Sequence, residues 1–166
     1  MPQQNFVADT AEARALRDAL GRFATGVTVV TIATRDGPMG FTANSFASVS
    51  LDPPLVLWSP ARASTRFPFF AAARHFAIHV LGAEQAELSR RFVRGGTGFD
   101  GLAHQTDGHG VPILPETLAR YDCEQAGTHD GGDHLIILGR VLRAEARTGQ
   151  PLVFSQGTFG RFVPGA

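Results

Sequence analysis

Thr42-Ala43-Asn44-Ser45 is the stretch of this chain best equipped to hold a planar heterocycle. It sets two hydroxyls and an amide into an apolar, strand-prone region, and Asp52-Pro53-Pro54 follows soon after. Paired prolines cannot donate to a ladder, so the backbone is expected to turn irregular just past the strand. An irregular segment with small side chains can aim N–H groups at a ring whose negative charge grows during a reaction. On composition alone, a Ser/Thr-rich surface strand and loop is the simpler account. Downstream, Ser59-Pro60-Ala61-Arg62-Ala63-Ser64-Thr65-Arg66 leads into a helical pattern, with Ser64 or Thr65 as the expected N-cap. A helix start with hydroxyls and arginine nearby suits a phosphate and a plain cap equally well. Arg90-Arg91-Phe92 offers a second cationic group or simply a solvated helix end.

His129-Asp130-Gly131-Gly132-Asp133-His134 packs four potential metal ligands into six residues, but the spacing matches no common metal motif. Gly131-Gly132 marks a turn between strands and leaves His134 at the start of the next one, a useful place for a functional imidazole. Gly96-Thr97-Gly98-Phe99-Asp100-Gly101 matches the GxGxxG dinucleotide pattern letter for letter. That motif works only between a strand and a helix, and here a helical pattern precedes it and more glycine follows. The remaining histidines have no chemically suggestive neighbours; His79 alternates with Ile78 and Val80 and is expected to point outward. Cys123 is the only cysteine, so it can form neither an intrachain disulfide nor a multi-thiolate metal site, and an inert buried thiol is expected.

Balanced charge, fifteen basic and fifteen acidic residues, argues against nucleic acid or acidic membranes as partners. Every basic residue is arginine. Without lysine there is no side-chain Schiff base and no Walker-type lysine, so anions must be held by arginine, hydroxyls and backbone N–H groups. No apolar run approaches the roughly 20 residues that span a bilayer, and the chain starts without a signal-like segment, which predicts a cytoplasmic protein.

The elements that must position these groups follow from periodicity. Leu16, Leu20 and Phe23 recur at helical spacing behind an Asp9/Glu12 capping box, with Gly26 as the stop. Strands are predicted over 27–34, 39–46, 55–59, 76–81, 118–127, 134–146 and 152–162, and helices over 64–74 and 83–93. The glycine-rich segment 94–110 reads as a long functional loop. Many strands and a few short helices, with no linker, favour one mainly β domain: a closed barrel with flanking helices.

Taken in order, six pieces resemble the short flavin reductase family: Leu20 to Thr31, Gly40 to Phe46, Ser50 to Val56, Phe76 to Leu81, Gly132-Asp133-His134 and Pro151 to Phe154. The resemblance covers about 16–162, nearly the whole chain. The 129–134 stretch further resembles reductase components of two-component aromatic monooxygenases, including those serving steroid-ring hydroxylation. The resemblance implies an FMN-binding split barrel, Greek-key-like, and a homodimer whose subunits share the flavin site. It implies hydride transfer from NADH or NADPH to FMN or FAD, with reduced flavin passed to a partner monooxygenase. On this reading Gly40 to Trp58 forms the wall of the flavin site. Thr42, Ala43, Asn44 and Ser45 touch the flavin ring and ribityl chain, and Ser59, Ser64 and Thr65 face the ribityl and phosphate. Arg62, Arg66 or Arg91 supplies the phosphate-side cation, Phe92 sits near the cofactor, and His134 lies by the nicotinamide. Two rivals stand beside this reading: a flavin-binding electron carrier without nicotinamide activity, and a split-barrel oxidase of a small substrate.

Overall fold

The computed structural model describes residues 8, 12–95 and 98–165. Among them the chain forms α1 (Ala13–Leu20), β1 (Thr25–Gly26), β2 (Thr28–Thr34), β3 (Gly37–Ala43), β4 (Ala47–Leu51) and β5 (Pro54–Trp58). There follow α2 (Phe67–Ala72), β6 (His75–Val80), α3 (Ala86–Arg91), β7 (Gln105–Thr106), β8 (Pro112–Ile113), β9 (Ala119–Gly131), β10 (His134–Ala146), β11 (Leu152–Ser155) and β12 (Thr158–Arg161). Asp9 of the expected capping box, and Gly96 and Thr97 of the glycine motif, lie outside the described residues.

Seven strands form one sheet in the order β3-β2-β6-β9-β10-β5-β4, every neighbouring pair antiparallel. The sheet wraps around its own core. Val30, Ile32, Ala43, Trp58, Phe76, Cys123 and Ile137, drawn from β2, β3, β5, β6, β9 and β10, pack into one buried cluster. Phe41 on β3 meets Trp58 on β5 edge-on at 5.8 Å, and Phe70 of α2 plugs the barrel against both rings. The two edge strands, β3 and β4, stay unpaired with each other and are joined by Asn44-Ser45-Phe46, so the barrel is split where the candidate residues lie.

β2 and β6 are buried on both faces. Val30, Ile32, Phe76 and Ile78 point into the barrel. Val27, Val29 and Leu81 point the other way, into a second core with Phe92, Phe99, Leu114 and Leu152. Here the structure corrects the outward placement of His79, which is fully buried. Its Nδ1 lies 3.1 Å from the Val29 carbonyl and its Nε2 accepts the Leu114 N–H at 3.2 Å. Burial pushes its pKa down to about 4, so the ring is neutral and pins the 107–118 segment to the sheet. Trp58, expected at the end of the flavin-site wall, is 1% exposed and packs inside the barrel core.

The expected second helix is shorter than its pattern, because Arg66 rather than Ser64 or Thr65 is its N-cap and no side chain caps it. α1 ends earlier than expected, at Gly21, and buries none of its residues; Leu20 and Phe23 are 66% and 79% exposed. Segment 47–51, expected to be irregular, is a strand with a bulge between Ser48 and Ser50 that absorbs the break in pairing with β5. Gly40 admits the closest approach of any described glycine. A Cβ there would sit 2.3 Å from the Phe92 ring, so only glycine lets α3 close on β3.

Candidate active site

β3 stops at Ala43, and the backbone N–H groups of Asn44 and Ser45 make no backbone hydrogen bond among the described residues. Two unspent donors thus sit at the split in the barrel. The Ser45 hydroxyl fixes this turn from below: it accepts the Ser59 N–H at 2.9 Å and donates to the Ser59 carbonyl at 3.3 Å. Ser59 opens the segment that is tied to the start of β10, where His134 lies. Leu135 N–H donates to the Pro60 carbonyl, Ala61 bridges to His134, and Arg62 N–H donates to the Asp133 carbonyl at 2.9 Å. The Arg62 guanidinium completes the tie, with Nε on the Gly132 carbonyl at 3.0 Å and a terminal nitrogen on Asp130 Oδ1 at 2.7 Å.

His134 is half-exposed beside the turn of the β9–β10 hairpin, its Nδ1 2.7 Å from Asp133 Oδ1. The hydrogen bond from the imidazole holds the Asp133 carboxyl below the usual carboxylate range. Because a carboxylate only accepts, Nδ1 carries the hydrogen of this contact, and Nε2 makes no hydrogen bond among the described residues.

On the other side of Asn44 lie two hollows. The smaller, about 150 Å³, is walled by Val27, Thr42, Ala43, Val93, Phe154 and Phe159 with Asn44 at its edge. The larger, about 630 Å³, opens toward α1 and also includes Asn44. This volume lies within the range of ordinary small-molecule sites. Thr42 contributes backbone and methyl rather than polar atoms. Its hydroxyl donates to the Ser89 carbonyl at 2.6 Å and its N–H to the Phe92 carbonyl at 3.1 Å.

Several of the expected contacts fall elsewhere. Arg66 is 6% exposed, and its guanidinium donates to the carbonyls of Gly40 (2.9 Å), Phe92 (2.6 Å) and Val93 (2.8 Å). It also lies over the Phe41 ring at 4.2 Å. An arginine spent on three carbonyls is a brace inside the protein, not a free phosphate ligand. Phe92 has no exposed surface, and its ring packs on Phe99. Arg91 faces a separate groove with Glu84, Glu87 and Leu102, and donates to the Asp100 carbonyl. The Ser64 hydroxyl accepts the Arg66 N–H at 3.3 Å, and Thr65 is exposed in the same turn.

Thus Ser45 and Ser59 are hydrogen-bonded to each other, the 60–62 segment that follows Ser59 is tied to His134 and its neighbours, and Thr42, Ala43 and Asn44 lead into Ser45 along the chain. Arg66 and Phe92 lie behind that set. Val93, Phe154 and Phe159 were missed by sequence reasoning. The paired aromatic rings flanking the Gln156-Gly157 turn were the one signal available; they stand 5.5 Å apart across the β11–β12 hairpin.

Comparison with known proteins bears on this arrangement. Residues 20–162 match the family model described as flavin reductase like domain. The chain is 59% identical over 163 residues to FMN reductase (NADH) SmoA of Agrobacterium fabrum, covering 98% of this chain and 94% of that one. It is 37% identical over 155 residues to the flavin-dependent monooxygenase, reductase subunit HsaB, of Mycobacterium tuberculosis, covering 91% and 83%. Among solved structures, the NADH:FAD oxidoreductase SgcE6 of Streptomyces globisporus C-1027 superposes with a TM-score of 0.90 at 36% identity, covering 100% and 96%. A further structure of SgcE6 is a complex with NAD and FAD fragments.

Proposed function

The chain belongs to the flavin reductase family, and from that premise we propose that it moves hydride from NADH or NADPH to FMN or FAD and supplies a partner monooxygenase with reduced flavin. The observation that carries this reading is the junction at Asn44. Unspent N–H groups and an apolar hollow meet there, and the Ser45–Ser59 hydrogen bonds lead to the segment that is tied to His134.

When bound, the flavin supplies the hydride-accepting chemistry. The residues present fit it. The N–H groups of Asn44 and Ser45 would hold the ring's carbonyl edge and stabilise the negative charge that reduction places there. Val93, Phe154 and Phe159 would exclude water from the ring face. Ser59, Ser64 and Thr65 would serve the ribityl and phosphate. His134 would orient the nicotinamide through Nε2 and need not act as a base, because hydride leaves carbon with its electron pair and no carbon acid is deprotonated.

The purified protein mixed with NADH and FMN or FAD, followed at the nicotinamide absorbance band, tests the function directly. Flavin binding without oxidation of either NADH or NADPH would favour the electron-carrier rival. His134→Ala is expected to raise the nucleotide KM by about tenfold, the worth of one hydrogen bond of roughly 1.4 kcal/mol. Flavin affinity should stay within a factor of two. The reverse pattern removes His134 from the nicotinamide side.

Two further parts of the reading rest on exposure and chemistry. Leu51 is 94% exposed and Val49 47% exposed on the unpaired β4 edge, and a second copy of the chain would cover them as a homodimer. Sedimentation as a monomer at assay concentration would remove that part. Among the described residues no helix is long and apolar enough to cross a membrane. Cytoplasmic placement fits a donor drawn from the nicotinamide pool.

A further inference from the structure

The larger hollow holds chemistry that hydride transfer does not use. Arg17 and Arg22 line it on one side, and neither makes a hydrogen bond or ion pair among the described residues. The end of α1 does not need them. The Arg17 carbonyl is taken by Gly21 N–H, Ala19 by Arg22 N–H, Leu20 by Phe23 N–H, and Gly21 by Gln156 N–H and the Ser155 hydroxyl. Two free guanidinium groups at one cleft are a phosphate-recognition device, because each offers a planar fork of donors. Phe23 stands 79% exposed on the same cleft, an open aromatic face for a base. Thr25 also lines it, and the chain there leads through Gly26 and Val27 toward the smaller hollow. Asp18 supplies an acceptor for sugar hydroxyls, and Asn44 joins this cleft to the hollow beside it.

We infer that this cleft receives the adenine-nucleotide half of a dinucleotide, with Arg17 and Arg22 on its phosphates and Phe23 against its base. The inference rests on the reading of the chain as a flavin reductase, since the shared Asn44 is what sets the reacting ring next door. NADH and FAD both carry that half, so the chemistry is common to two sources.

The probe is 5′-ADP, which has neither nicotinamide nor flavin. Calorimetric titration should show it binding the intact protein and losing at least tenfold in affinity in the Arg17→Ala/Arg22→Ala double variant. Both side chains are free of packing bonds, so the variant is expected to keep the wild-type melting temperature. With FMN as acceptor, the same variant should raise the NADH KM about tenfold and leave FMN affinity within a factor of two. If the NADH KM is unchanged while FAD binding falls and FMN binding does not, the cleft takes the adenine half of the flavin. Either result supports the inference. No ADP binding by the wild type, equal binding by the double variant, or a variant that alters only the oligomeric state overturns it. ADP binding needs no hydride transfer. A protein that binds ADP but oxidises no NADH would defeat the reductase reading and leave this one standing, whereas an active reductase blind to ADP would do the opposite.

Discussion

Arg66→Met is expected to lower the unfolding free energy by about 3 kcal/mol, because it strips a charged donor from three carbonyls at once. For a chain of this length that corresponds to a fall in Tm of about 10 °C. Arg66 is buried, and desolvation lowers its pKa from the ordinary arginine value, so its charge is tolerated only through those bonds and the Phe41 ring. Arg66→Lys should recover less than half the loss, since an ammonium on a flexible stem cannot span carbonyls from β3 and from the chain just past α3. Flavin affinity should fall too, for Val93 both accepts from Arg66 and lines the hollow. Thermal melts with FMN and riboflavin titrations check this. If Arg66→Met melts like the wild type but binds FMN more weakly with riboflavin unchanged, Arg66 is a phosphate ligand after all.

Acid should destabilise the protein earlier than its carboxylates alone require. His79 is neutral in the fold with a pKa of about 4, against about 6.5 in an unfolded chain. As pH drops below 6.5 the unfolded chain takes up a proton that the native one refuses, so stability declines through that window. The decline ends near pH 4, where the folded ring also protonates. Over those roughly 2.5 units the loss amounts to about 3 kcal/mol. The depressed carboxyls of Glu84, Glu124 and Asp133 act below their ordinary values, at lower pH. Urea unfolding of wild type and His79→Gln from pH 7 to 4.5 separates the two. The glutamine can still donate to Val29 and accept from Leu114 but does not titrate, so its stability should stay flatter across that range. Parallel slopes for the two proteins would show that His79 is not the source.

Much of the architecture was legible because pattern and structure coincide where a strand has two different faces or a clear turn. β10 begins and ends where its apolar run and the Gly131-Gly132 turn placed it, whereas the break after β3 comes at Asn44, inside the strand expected over 39–46. His79 was misplaced for a physical reason. Alternation signals an outward side chain only when one face of the strand meets water, and β6 is covered on both. Arg66 and Phe92 were assigned to the cofactor because the sequence shows a side chain's chemistry but not where its donors go. Only the folded chain reveals that three carbonyls from two segments converge on that guanidinium. Trp58 was placed in a wall for the same reason: strand parity at a split barrel's edge depends on which strands pair, and that is non-local. The cleft beside α1 had no signature, since Arg17 and Gln156 lie far apart until β1 pairs with β11.

Asn44 borders both hollows, and its side chain has a single carbonyl and a single NH2 to share between whatever fills them. Two occupants that draw on one amide are not independent guests. By thermodynamic reciprocity, whatever factor the molecule in the small hollow imposes on the affinity of its neighbour is returned in equal measure. If donor and acceptor fill these hollows as proposed, the split between β3 and β4 makes Asn44 the point at which each would sense the other, and substituting it would change the effect of each on the other's affinity by the same factor.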